Sequence, residues 1–95
     1  MIDQEKINAV REYLRTEFPN STISDEYDFG HDAQIFWITE QESKYVTAVS
    51  EEFFLEHEAT DIPTRLQEYR LGEQLHKVGP ARVLVTTTGL EPQKE

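Results

Sequence analysis

The spacing of apolar residues changes twice along this chain, from helical to strand-like and back, and this order limits the possible folds more than any motif does. In residues 3–17 the spacing is three or four positions, which predicts an amphipathic helix with Asp3 as its N-cap. Its apolar stripe consists of Ile7, Val10, Leu14 and Phe18. Between residues 23 and 49 apolar residues alternate with polar ones or form short runs, which is typical of strands.

The helical spacing returns after Ser50, which is a good N-cap for a short helix over residues 51–58. A longer helix follows Asp61 and runs to residue 78, because Pro63 is tolerated in a first turn and Gly79-Pro80 stops a helix. Residues 82–86 are apolar enough to predict a last strand.

The element order α-β-β-β-α-α-β predicts an α+β domain. We expect a three-stranded antiparallel meander plus a fourth strand, with the helices packed mainly on one face of the sheet. A crossover through the helices would make the third and fourth strands parallel. Residues 1–88 are predicted to form this single domain, and residues 89–95 a polar, disordered tail.

The net charge of −10 is concentrated in the middle of the chain. Residues 25–58 contain one base, Lys44, and ten acids: Asp25, Glu26, Asp28, Asp32, Glu40, Glu42, Glu51, Glu52, Glu56 and Glu58. Such a segment repels phosphate backbones, so we expect no nucleic-acid partner. Two readings stay open: a solvated face that keeps the domain soluble, or an acidic docking face for a basic protein.

Composition excludes several kinds of chemistry. The chain has no cysteine, so it has no disulfide, no thiolate metal site and no thiol nucleophile. No apolar run approaches the roughly 20 residues of a membrane helix, and residues 1–5 lack the basic and apolar stretches of a signal peptide. The expected location is therefore the cytoplasm, with no membrane partner.

No motif of a catalytic or metal site is present. The acids of residues 25–32 surround Gly30 but lack the alternation of a calcium loop, so they predict a turn. His31, His57 and His76 have no histidine three or four residues away with which to bind zinc. We expect no cofactor, no metal and no enzymatic activity. A small-molecule pocket or active site near His57 is the least favoured alternative.

Residues 35–38 form an apolar strand whose outward side chains are the main candidates for a binding surface. Turns of even length pair Tyr27 with Phe36 and Asp28 with Ile35, and they pair Trp37 with Val46 in the next hairpin. The face away from the helices then presents Ile35, Trp37, Val46 and Ala48, with Glu26, Asp28 and Lys44 at its rim. A covering helix or the C-terminal segment would bury this face, and an odd-length turn would reverse the two faces.

The order of helix, three-stranded meander and helix resembles the topology of double-stranded-RNA-binding domains. In those domains a lysine-rich helix start contacts phosphates. Here the comparable positions are Glu51-Glu52 or Asp61-Ile62-Pro63-Thr64-Arg65. The resemblance is therefore limited to the order of elements.

The sequence favours a non-enzymatic protein-protein interaction module that uses its acidic sheet region. The predicted partner-binding residues are Ile35, Trp37, Val46, Glu26, Asp28 and Lys44. We expect the partner to be basic, because the rim is acidic. The alternative is a weak homodimer through the same face, in which two copies bury the same surface.

Overall fold

The computed structural model describes residues 2–79 and 81–92, and within them four helices and five strands. In chain order these are α1 (Gln4–Glu17), β1 (Thr22–Asp28), β2 (Ala33–Glu40), β3 (Ser43–Ser50), α2 (Glu51–Glu56), α3 (Ile62–Tyr69), α4 (Leu71–Val78), β4 (Arg82–Thr86) and β5 (Gly89–Pro92). The predicted α+β class is confirmed, with one more helix and one more strand than expected. No helix in the described part of the chain is both long and apolar enough to cross a bilayer.

The strands form one mixed sheet in the order β1-β2-β3-β4-β5. The first three are an antiparallel meander, and β4 pairs with β3 in parallel, as predicted. Gly89–Pro92 form β5, antiparallel to β4, rather than the start of a disordered tail. Leu90 explains this difference, because it lies opposite Val85 and packs against the core. The rest of the predicted tail, residues 93–95, lies outside the described residues.

The caps of the first two helices are those that the sequence predicts. The Asp3 side chain accepts a hydrogen bond from the Glu5 amide at the start of α1, and the Ser50 side chain accepts one from the Phe53 amide at the start of α2. These bonds satisfy amides that have no partner within a helix. Both helices therefore begin where expected, although α2 ends at Glu56, before the predicted residue 58.

The single helix expected over residues 61–78 is in fact two helices. Arg70 adopts a left-handed conformation with φ of 59°, which ends α3 and begins α4. The amide of Gly72 then donates to the hydroxyl of Tyr13 on α1 at 3.0 Å. The break directs both Leu71 and Leu75 into the core, which a straight helix with this imperfect stripe would not do.

All four helices pack on one side of the sheet, which we call the inner face. They bury one continuous core against the inner strand residues Ile23, Phe36, Ile38, Tyr45, Val49, Val83 and Val85. The opposite side, the outer face, has a separate small cluster of Ala33, Ile35 and Ala48, against which Val46 and Leu84 pack. This outer cluster contains no helix residue among those described.

The register of the second hairpin is as predicted, with Trp37 opposite Val46. In the first hairpin the prediction is wrong by two residues, because Tyr27 lies opposite Gln34. The Asp28 carboxylate accepts a hydrogen bond from the Gly30 amide, so the turn closes directly after Asp28. A shift of two preserves which side chains share a face. Phe29 lies beyond the end of β1 and is 76% exposed.

Candidate interaction surface

The outer face carries two rows of side chains across the sheet. In one row Ile35 lies between Glu26 of β1 and Ala48 of β3, and Leu84 of β4 follows. In the next row, in the same order of strands, the residues are Ser24, Trp37, Val46 and Arg82. The predicted apolar residues Ile35, Trp37 and Val46 are thus brought together, as the even-turn register implies.

Trp37 is the most exposed apolar side chain of this surface. Trp37 is 37% exposed, whereas Ile35 and Ala48 are each 3% exposed and pack together with Ala33, Val46 and Leu84. Val46 and Leu84 are half-buried. A partner on this face would therefore contact mainly the indole of Trp37 and the edges of Val46 and Leu84.

The predicted rim residues fall at opposite corners of the outer face. Glu26 and Asp28 lie at one end of β1, and we call them the acidic corner. Lys44 lies opposite Thr39 at the other end of the sheet, and Arg82 lies beside Val46. We call Lys44 and Arg82 the basic corner.

Sequence reasoning missed Leu84 and Arg82 as members of this surface. The alternation of Arg82, Leu84 and Thr86 with two buried valines would have placed them on one face. Only the parallel pairing of β4 with β3 shows which face that is and which residues lie beside Val46 and Ala48.

The acid-rich segment is partly neutralised on the inner side of the sheet. Arg11 of α1 forms an ion pair with Asp25 and also donates to the carbonyl oxygen of Ile23 at 3.2 Å. Gln34 donates to the other carboxylate oxygen of Asp25 at 2.6 Å. Asp25 therefore fixes α1 against β1 and β2 and faces away from the candidate surface.

Two other acids of this segment have local partners. The Tyr27 hydroxyl donates to Glu51 at 3.0 Å, and burial together with this bond raises the pKa of Tyr27 to about 12. The Asp28 carboxylate lies 2.8 Å from Nδ1 of His31, and this contact lowers the pKa of Asp28. Asp28 is therefore charged at neutral pH and retains its place in the acidic corner.

His57 and His76 pack against phenylalanine rings. His57 contacts the carbonyl oxygen of Phe53 through Nδ1 at 2.8 Å, and its ring stacks on the Phe53 ring with centroids 4.4 Å apart. His76 stacks on Phe18 at 4.6 Å. Among the described residues, no three histidine, aspartate or glutamate side chains are grouped so that they could hold a metal ion. The structure thus offers no observation that favours the alternative site near His57.

A groove of about 480 Å³ lies between α1 and α3. Its lining includes Tyr13, Pro63, Gln67 and the carboxylates of Glu12, Glu17 and Glu68. Tyr13 already accepts the Gly72 hydrogen bond, and Glu12 lies near Arg15 at the surface. The groove gathers no set of groups that suggests a ligand or a reaction.

Comparisons with protein-family models, with curated proteins and with solved structures find no match to this chain. Any functional conclusion therefore depends on the chemistry of its own surface.

Proposed function

We propose that this protein is a cytoplasmic, non-enzymatic interaction module that binds another protein through its outer face. The observation that carries the proposal is a tryptophan, 37% exposed, near the centre of a sheet face whose described apolar cluster contains no helix residue. Tryptophan is enriched among the residues that dominate binding energy, since its large apolar ring loses much water contact when covered.

The charges around Trp37 indicate the chemistry of the partner. Glu26 is exposed and has no ion-pair or hydrogen-bond partner among the described residues, and with Asp28 it would attract a basic group. A suitable partner thus has an apolar centre to cover Trp37 and a cation placed toward β1.

The test is to immobilise the purified chain and pass a native lysate over it. Three forms are compared: wild type, Trp37→Ser and Leu55→Ser. Leu55 is a matched control, because it is 71% exposed but lies on α2, away from the outer face. We expect proteins retained by wild type and Leu55→Ser to be lost with Trp37→Ser. Addition of a purified partner should shift the Trp37 emission to the blue. Equal retention by all three forms would contradict the proposal.

A further inference from the structure

The outer face has a charge pattern that complements itself. Asp28 lies opposite Ala33 and Lys44 opposite Thr39, so these charges are six residues apart along β2, or about 20 Å. Across the sheet, β1 and β4 are three strand spacings apart, or about 14 Å. The acidic and basic corners therefore lie on a diagonal, with Trp37, Ile35, Val46 and Ala48 between them.

The basic corner is without a partner inside the described chain. Acids outnumber Lys and Arg by 19 to 9, yet neither Lys44 nor Arg82 forms an ion pair or a side-chain hydrogen bond with a described residue. Glu26 likewise has no ion-pair or hydrogen-bond partner among the described residues, although Asp28 contacts His31. Within the described part of the chain, three charges on the face of an exposed tryptophan thus have no partner. Glu91 of β5, opposite Leu84, adds one more acid at the far margin.

We propose that the partner of this surface is a second copy of the same chain, an inference that rests on the proposed function. A two-fold axis that lies in the contact plane and crosses the diagonal at a right angle places each acidic corner on the other copy's basic corner. Both contacts form at once, because a two-fold interface uses the same patch twice. The strands of the two sheets then cross at nearly a right angle, which is one of the two common arrangements of packed sheets.

The size of the face limits the strength of this dimer. Four strands about 4.8 Å apart and four rows about 6.8 Å apart cover about 500 Å² per copy. A standard interface buries about 800 Å² per partner, so the dimer is weak and forms in the range from micromolar to about 1 mM. The two net charges of −10 also oppose association at low salt, and roughly 0.15 M salt screens them beyond about 8 Å.

A charge-reversal experiment tests the pairing of corners. Sedimentation equilibrium at roughly 0.15 M salt would compare wild type, Glu26→Lys, the double variant Lys44→Glu/Arg82→Glu, and an equal mixture of the two variants. We expect a monomer-dimer equilibrium for wild type and at least about tenfold weaker association for each variant alone. The mixture should regain dimers, because one corner contact keeps its original charges and in the other the lysine introduced at position 26 faces the introduced glutamates, beside the unchanged Asp28. This recovery also shows that the variants are folded.

The Glu26→Lys variant distinguishes best between net charge and local pairing, because the two effects predict opposite changes in its association. It reduces the overall charge from −10 to −8 and so reduces general repulsion. Two results would overturn the proposed pairing: stronger association of Glu26→Lys than of wild type, or a mixture that associates no more strongly than either variant alone. A wild type that stays monomeric would also overturn it, while loss of lysate proteins with Trp37→Ser would still support the proposed function. If Trp37→Ser dimerised like wild type, the contact would lie elsewhere and the inference would fail.

Discussion

The two faces of the sheet are built from the same strands but differ in what covers them. On the inner face Phe36, Ile38 and Val49 are fully buried beneath four helices. On the outer face Ile35 and Ala48 are buried almost as deeply, yet the described apolar residues that pack with them all belong to strands. Low exposure therefore has two origins here: helices cover one face, and neighbouring side chains of the sheet cover the other.

This difference separates stability from binding. Burial of the inner residues requires the tertiary fold, so they determine the free energy of unfolding. The outer residues lie on a sheet that is already complete, and Trp37 still exposes more than a third of its surface. The outer face can thus lose its largest side chain at a modest cost, which makes it the better place for a partner to bind.

The largest expected effect comes from substituting adjacent residues of β2 that point to opposite faces. Phe36→Ala should lower the free energy of unfolding by about 3–5 kcal/mol, because it leaves a cavity in a filled core. Trp37→Ala should lower it by about 1 kcal/mol, as for a partly exposed residue. Urea denaturation followed by circular dichroism measures both. Equal losses would mean that the outer face is as essential to the fold as the inner one.

A smaller effect is expected at the polar margin of the inner face. Arg11→Met should cost about 1–2 kcal/mol, because among the described residues the largely buried Asp25 side chain would keep only Gln34 as a partner. Arg15→Met is the matched control, since the Arg15–Glu12 pair is exposed and contributes less than about 0.5 kcal/mol. The same denaturation assay applies. If Arg11→Met behaved like the control, the Arg11–Asp25 pair would not anchor α1 to the sheet.

The salt dependence of stability should report on the acids that have no ion-pair partner. Glu26, Glu40 and Glu42 have no ion-pair partner among the described residues, so they repel other acids over long range in dilute buffer. We expect the denaturation midpoint to rise between roughly 0.01 M and 0.1 M salt, by less than about 1 kcal/mol in stability. The monomer should be measured, at low protein concentration. A flat or falling midpoint would show that the acids are already compensated within the chain.

The smallest effect is confined to alkaline pH. The pKa of Tyr27 is raised from 10.0 to about 12, so the unfolded chain loses this proton at lower pH than the folded one. The stability that the raised pKa of Tyr27 contributes is complete below pH 10 and is lost as the pH rises from 10 to about 12. Tyr27→Phe should therefore lose less stability than wild type across this interval. Identical pH profiles would show that the Tyr27–Glu51 bond does not perturb the titration.

Much of the fold follows from local signals in the sequence. The stripe of α1 and the caps Asp3 and Ser50 depend on residues three or four apart, so they can be predicted without the tertiary structure. Which side chains share a sheet face also follows, because it depends only on whether a shift is even or odd. The first-hairpin register does not, since the Asp28 bond to Gly30 determines where the turn closes.

The remaining features of the fold and of the candidate surface depend on contacts between residues that are distant in the sequence. The helix break at Arg70 depends on how Leu71, Gly72 and Tyr13 pack together, and no local residue type predicts it. For the candidate surface, the sequence predicts Trp37, Val46 and the acidic corner as neighbours on one face. Arg82 completes the basic corner only through the parallel pairing of β3 with β4, which strand composition alone does not align.

That parallel pairing has a consequence for the order of folding. The meander forms from contacts between neighbouring hairpin strands, whereas the Thr47 hydroxyl bonds to the Val83 carbonyl across 36 residues. Closing such a loop costs more chain entropy than closing a hairpin turn, so strand pairing across it is expected late. Until β4 arrives, β3 is an open edge of the sheet, and an open edge can pair with other chains. The three helices between β3 and β4 therefore also govern how long this chain is exposed to misassembly.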